Sequence, residues 1–270
     1  MIGVFDSGMG GFSVLREIIR LLPREDYAYY SDAAHCPYGE KSREYITDRA
    51  RYITSFLLER GAEVIVVACN TATSAAIATL RREFPAVPFV GMEPAVKPAA
   101  MRTRSGVIGV LATAGTLGGS KYHDLCEEYA PQVTHIVERV GEGFVDLVEN
   151  GELEGERARG IVRNAVAPLV SAGADEIVLG CTHYPFLRAL IQEAAGDGVE
   201  IIDPAPAVAA RVVDVLGRVR TRGSEDGLSA PGPQPPAPQF AGPDGFISLF
   251  CSAPEKIGAL KKFFARSIRE

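Results

Sequence analysis

The stretch GAEVIVVACNT, which begins at Gly61, returns as GADEIVLGCTH from Gly173. In both copies a cysteine, Cys69 and then Cys181, stands eight residues after the glycine, at the end of a β-branched run. A small residue, Ala68 or Gly180, precedes each one. A second echo lies upstream of each copy: IGVFDSG from Ile2 is answered by IGVLATAG from Ile108. Matched register at two places argues for a structural repeat, so the chain is expected to fold as two halves of similar design.

The elements between these echoes set the fold class. Short β-branched runs alternate with helical patterns, as in a parallel sheet covered by helices. Ile2–Phe5, Val64–Val67 and Val87–Val90 read as strands. Val14, Leu15, Ile18, Ile19, Leu21 and Leu22 repeat at helical spacing until Pro23 stops them. Ser42 is placed to cap a second helix whose stripe runs through Ile46, Ile53 and Leu57 to a stop at Gly61. Thr71–Phe84 reads as a third helix and Met92–Pro98 as a crossover. The expectation is α/β: two pseudo-symmetric α/β domains with mainly parallel sheets. The first covers residues 1–94 with 206–270, the second residues 95–205. From Thr221 to Gly245 the composition turns proline-rich and reads as a solvated loop. Phe246–Phe250 and a helix from Pro254 to about Ser267 then return to the first domain.

Composition narrows the function. A formal charge of −6 speaks against a nucleic-acid groove, which needs a basic patch. The longest uncharged run, Val64 to Leu80, is broken by polar residues and falls short of the ~20 apolar residues of a membrane span. The opening MIGVFDSG has no basic, apolar leader pattern, so a soluble cytoplasmic protein is expected. The five cysteines are odd in number and form no CxxC pair, which points to free thiols and no metal site.

In open α/β sheets, ligands bind at the carboxyl ends of strands. Four such ends carry polar groups here: Asp6-Ser7, Cys69-Asn70-Thr71, Ala112-Thr113 and Cys181-Thr182-His183. If the halves face one another, two thiols flank one cleft. Inverting a stereocentre by proton exchange needs one acid/base on each side, each reversing its role with direction. A free thiol has a pKa of about 8.5, so the thiolate needs help. Helix N-termini just beyond both cysteines would supply it. Asp6 and His183 are the neighbours suited to relay protons, and Asn70, Thr71 and Thr182 to meet developing negative charge.

Plainer readings stand beside these. A cysteine after a buried strand is usually packing, and Cys36, Cys126 and Cys251 are read so. Asp6 could simply cap the following turn. Gly8 to Gly11 lacks the spacing of a phosphate loop and suits a tight turn. His35, His123 and His135 show no ligand-like spacing, and Lys97, between Val96 and Pro98, is a poor pyridoxal-phosphate lysine.

Taken together, FDSGMGGFSVL, CPYGEKS at Cys36–Ser42, ACNTAT at Ala68–Thr73 and GCTHYPFL at Gly180–Leu187 resemble the four signature segments of bacterial glutamate racemases. The resemblance implies two α/β domains with the active site at the domain interface, no metal or pyridoxal cofactor, and glutamate as substrate. It implies that Cys69 exchanges the proton with D-glutamate and Cys181 with L-glutamate, with Asp6 and His183 assisting. Ser7, Tyr38, Gly39, Asn70, Thr71 and Thr182 would hold the substrate, with Thr113 and Thr116 as weaker choices. Such enzymes supply D-glutamate for peptidoglycan, and many are homodimers. One departure concerns GEGFVDLVENGE, where the family commonly has Cys-Pro before the helix, so a role for Glu149 is left open. An aspartate or hydantoin racemase with the same thiol pair, or a binding module of two α/β halves, are the alternatives.

Overall fold

The computed structural model describes residues 1–225, 240–241 and 245–268. The chain divides into two compact units, Met1–Met92 with the residues from Ala205 onward, and Glu93–Pro204. The first unit starts with β1 (Ile2–Asp6), α1 (Phe12–Leu21), β2 (Tyr27–Ser31), α2 (Arg43–Leu58), β3 (Val64–Val67), α3 (Asn70–Glu83) and β4 (Phe89–Gly91). The second unit runs α4 (Val96–Arg102), β5 (Val107–Ala112), α5 (Ala114–Leu117), α6 (Ser120–Tyr129), β6 (His135–Val140), α7 (Phe144–Glu149), α8 (Glu156–Ser171), β7 (Glu176–Gly180), α9 (Arg188–Ala195) and β8 (Glu200–Ile202). The chain then returns to the first unit through α10 (Ala205–Glu225), β9 (Phe240–Ala241), β10 (Phe246–Cys251) and α11 (Ile257–Ser267).

The repeat is visible in the topology. The first sheet has the order β4-β3-β1-β2-β10-β9 and the second β6-β5-β7-β8. Reversed, the second order matches the first four strands of the other, with β7 in the place of β3 and β5 in the place of β1. All pairings are parallel except that of β9 with β10. The glycines that open the two sequence echoes share a conformation too: Gly61 has φ +87° and Gly173 φ +90°. Both lie in the left-handed region that ends a helix cheaply only at glycine.

Burial explains why these segments are strands. β1, β2, β3 and β7 are buried at every residue, as expected of strands covered on both faces. Phe12 at the start of α1 packs on Tyr29 of β2 with ring centroids 4.4 Å apart and on Phe264 of α11 at 4.9 Å. That contact fastens the C-terminal helix to the first unit. Ser42 caps α2, its hydroxyl accepting from the Tyr45 amide at 3.2 Å.

Four expectations change. β2 and β6 are strands that periodicity passes over. Met92–Pro98 is not all crossover, because α4 starts at Val96 and its first turn accommodates Pro98, where no intrahelical amide donor is needed. Thr221 is not yet loop, since α10 runs on to Glu225, braced by Arg220 donating two 2.7 Å bonds to Glu25. Phe240–Ala241 also pairs with β10. The prolines from Pro231 to Pro238 lie outside the described residues. No helix among the described residues is long and apolar enough to cross a membrane.

Asp175, just ahead of β7, ties this strand to the loop after α4. Its carboxylate accepts from the Thr103 hydroxyl at 2.5 Å and from the Arg104 and Ser105 amides at 2.7 and 2.9 Å. Burial opposes its ionisation, but these donors outweigh burial and pull the pKa to about 2. A carboxyl held below its unfolded value stabilises the fold above the ordinary Asp range and loses that contribution as pH falls toward the folded pKa. Asp175→Asn is therefore expected to lower stability by about 1–2 kcal/mol near neutrality. Urea midpoints should show the gap to the parent closing as the pH drops from 3.8 toward about 2. A gap unchanged over that range would contradict the assignment.

Candidate functional site

In the first unit, the turn after β1 is built around Asp6. Its Oδ2 accepts from the Gly8 amide at 2.9 Å, so Asp6 does cap the turn. The Tyr29 hydroxyl donates to the Gly8 carbonyl at 2.8 Å. Gly11 makes that packing possible, because a Cβ there would stand 2.6 Å from both the Asp6 Cβ and the Tyr29 hydroxyl. Gly11 of the DSGMGG segment thus serves close approach.

Cys69 lies at the next strand end, where it is the N-cap of α3 and only 5% exposed. Its Sγ accepts from the Ala72 amide at 3.4 Å and sits 3.9 Å from Ser7 Oγ. An amide donor at the positive end of a fourteen-residue helix favours the thiolate. Asn70 and Thr71 follow in the first turn, both buried. Neither the amide oxygen nor the amide nitrogen of Asn70 has a hydrogen-bond partner. An unmatched buried amide costs about 1–3 kcal/mol, a cost a folded protein rarely keeps without a use.

Tyr38 occupies a short 3-10 turn with Gly39, Tyr38–Glu40, and is buried. Its hydroxyl donates to Asp32 Oδ2 at 2.5 Å. Arg49 from α2 grips the same carboxylate with two bonds, 3.0 and 2.8 Å. Burial, then the Asp32 carboxylate, push the Tyr38 phenol far above its ordinary range, and Cys69 adds to the rise. Tyr38 is therefore a neutral donor within electrostatic reach of the thiol.

The second unit presents a parallel set. Cys181, 7% exposed, follows β7 as Cys69 follows β3. Its Sγ lies 3.8 Å from His183 Nδ1. On the other side of the ring, Nε2 meets Glu149 Oε1 at 2.8 Å. With Nε2 donating to the carboxylate, Nδ1 keeps its lone pair and faces the thiol. Thiol, imidazole and carboxylate thus stand in succession, each within reach of the next. Thr182 is buried beside them, and Thr113 caps α5 with its hydroxyl 3.0 Å from that of Thr116.

No α-helix starts at Cys181. Pro185 enters a 3-10 turn over Tyr184–Leu187 before α9, so the dipole expected there belongs to Cys69 alone. Tyr184 is fully buried, its ring 4.9 Å from that of Phe144, and its hydroxyl reaches the Gly141 carbonyl at 3.4 Å. Burial and then the charge of Cys181 hold its phenol well above the ordinary range. A Cβ at Gly141 would fall 2.6 Å from the Tyr184 hydroxyl. The unusual GEG sequence ahead of α7 thus lets Tyr184 pack beneath the helix that carries Glu149.

Residues 2–212 match the Asp/Glu/Hydantoin racemase family. The chain belongs to that family. Among its curated members, the glutamate racemase of Roseiflexus sp. is 52% identical over 215 residues, covering 80% of this chain and 79% of the relative. The Escherichia coli glutamate racemase, solved with L-glutamate and the activator UDP-MurNAc-Ala, aligns over 97% of this chain and 95% of its own. Its TM-score is 0.80 at 31% identity. Glutamate racemase isoform RacE1 of Bacillus anthracis aligns over 100% of this chain and 94% of its own, with a TM-score of 0.77 at 29% identity.

In this racemase family member, sequence reading passes over two groups at the first thiol. Asp32 and Arg49 are separated by 17 residues and carry no local signal, yet they fix Tyr38. Glu149, whose role the sequence left open, is the partner of His183. Burial pushes the Cys126 thiol up, away from reactivity. Lys97 points at the Tyr129 ring, 5.9 Å from its centroid.

Proposed function

We propose that this chain interconverts L- and D-glutamate without a cofactor, by exchange of the α-proton with two thiols. Cys181 takes the proton of L-glutamate and Cys69 that of D-glutamate; each returns it in the reverse direction. The observation that carries the reading is that each unit ends the equivalent strand of the same four-strand order on a buried thiol. Each thiol has its own proton-handling neighbours: a helix N-terminus and Ser7 for Cys69, His183 backed by Glu149 for Cys181. A protein that only bound a small acid would have no use for this duplication. Asp6, Ser7, Tyr38, Gly39, Asn70, Thr71, Thr182 and His183 hold the substrate, and the bare amide of Asn70 is satisfied by it. The enzyme works in the cytoplasm as a homodimer and supplies D-glutamate for peptidoglycan.

The test is to incubate the purified chain with L-glutamate in heavy water, without added cofactor. Loss of optical rotation should proceed together with α-deuterium entry. Deuterium entry into aspartate but not glutamate would instead assign the chain to a sister activity.

Asn70→Ala gives a narrower check. It removes two unsatisfied polar atoms, so the melting temperature should hold or rise, while KM for glutamate rises about tenfold, the loss of one hydrogen bond of about 1.4 kcal/mol. A destabilised variant with unchanged KM would assign Asn70 to the fold instead.

A further inference from the structure

At the end of β7 far from Cys181, the second unit carries a charge arrangement that the racemase reading does not use. β7 and β8 each begin with a glutamate, and the two stand opposite one another in register, Glu176 against Glu200. Like charges placed directly across a strand pair repel. The protein answers only half of this. Arg102 from the end of α4 takes Glu200 at 3.2 Å, where both side chains are more than half exposed. Glu176 is 6% exposed, and its Oε2 is buried with no hydrogen-bond partner.

The surroundings add to the imbalance. Arg102, Arg104, Asp175, Glu176, Asp197 and Glu200 line a cavity of about 690 Å³, within the size range of small-molecule sites. Four carboxylates face two guanidiniums, so the cavity favours a cation. Its kind follows from the donors. Asp175 already accepts three hydrogen bonds and Glu200 is paired with Arg102, which leaves the exposed Asp197 and the buried carboxylate of Glu176, whose Oε2 has no hydrogen-bond partner. Calcium or magnesium needs six or more oxygens close together, and among the described residues no three of these carboxylates bring ligand atoms within 4.8 Å of one another. An ammonium group brings three donors on a compact charge and suits a single carboxylate. Burial, then Glu200 and Asp175, raise the Glu176 pKa, while Arg102 and Arg104 lower it. These surroundings disfavour the ionised carboxylate, which a bound ammonium group would restore.

We propose that this cavity binds a small organic ammonium compound, with the ammonium group seated on Glu176. The site is separate from the thiol chemistry: β7 spans five residues, roughly 16 Å, before Cys181 is reached.

The probe is putrescine, titrated by calorimetry at low ionic strength against the full chain, with butanediol and magnesium chloride as controls. Saturable binding of putrescine is expected, without butanediol binding and without competition from magnesium at equal concentration. Glu176→Gln should weaken binding at least tenfold, and its unliganded melting temperature should equal or exceed that of the parent, since a buried charge has been removed. Arg102→Ala should tighten binding several-fold by freeing Glu200 and removing a competing cation. It remains a test even if the Glu176 variant fails to fold. No saturable binding by the parent chain, equal affinity in Glu176→Gln, or unchanged or weaker affinity in Arg102→Ala would each overturn the proposal, as would displacement of putrescine by magnesium.

Discussion

Cys69→Ala and Cys181→Ala are each expected to lose racemisation by on the order of 10²–10⁴-fold, the range ascribed to a positioned acid or base. The two variants should fail differently. With Cys69 removed, Cys181 can still take the proton of L-glutamate and return it to the same face. Residual α-deuterium entry into L-glutamate would then occur with retained configuration. Cys181→Ala should show the mirror behaviour with D-glutamate. Neither substitution should unfold the chain, because each removes a single sulfur atom and so leaves only a small cavity. Chiral chromatography of the products together with mass analysis of the α-position reads both inversion and exchange. Racemisation at the parent rate by either single variant would remove the basis for the two-thiol mechanism.

How much of this was legible beforehand depends on how local the signal is. The repeat could be read because it rests on contiguous words, and the two left-handed glycines at 61 and 173 are part of those words. β2 was not legible: Tyr27–Ser31 is buried on both faces, so it shows no alternation, and its tyrosines lower the apolar signal of a buried strand. β6 escapes for the opposite reason. It is an edge strand, and HIVERV is mostly exposed, so it lacks a continuous apolar face. At the site, residues that directly follow a strand could be found by position along the chain. Asp32 and Arg49 could not, because only the packing of α2 against the sheet brings the guanidinium to that carboxylate. Where an α-helix was expected directly after Cys181, a 3-10 segment over Tyr184–Leu187 comes first, and helical periodicity from Arg188 onward gave no warning of the gap.

Glu149→Gln carries the second large effect, on the order of 10²-fold in kcat/KM, because an amide no longer fixes which ring nitrogen of His183 holds the proton. Glu149 is a positioning residue here: it touches His183, not the reacting carbon. The enantiomers of glutamate have equal free energy in water, so kcat/KM must fall equally in both directions whatever the variant. Only the location of the slow step can become lopsided. If Glu149 serves the Cys181 side alone, transfer at Cys181 becomes the slower of the two. The primary isotope effect with α-deuterated L-glutamate should then grow, and that with α-deuterated D-glutamate should shrink. Nitrogen NMR of His183 supplies the structural counterpart. In the parent Nε2 should carry the hydrogen and Nδ1 should be bare, while the variant should show both tautomers. A merely structural loss would lower activity without separating the two isotope effects and without moving the ring proton. Equal isotope effects in the variant would therefore detach Glu149 from the proton path even if activity fell.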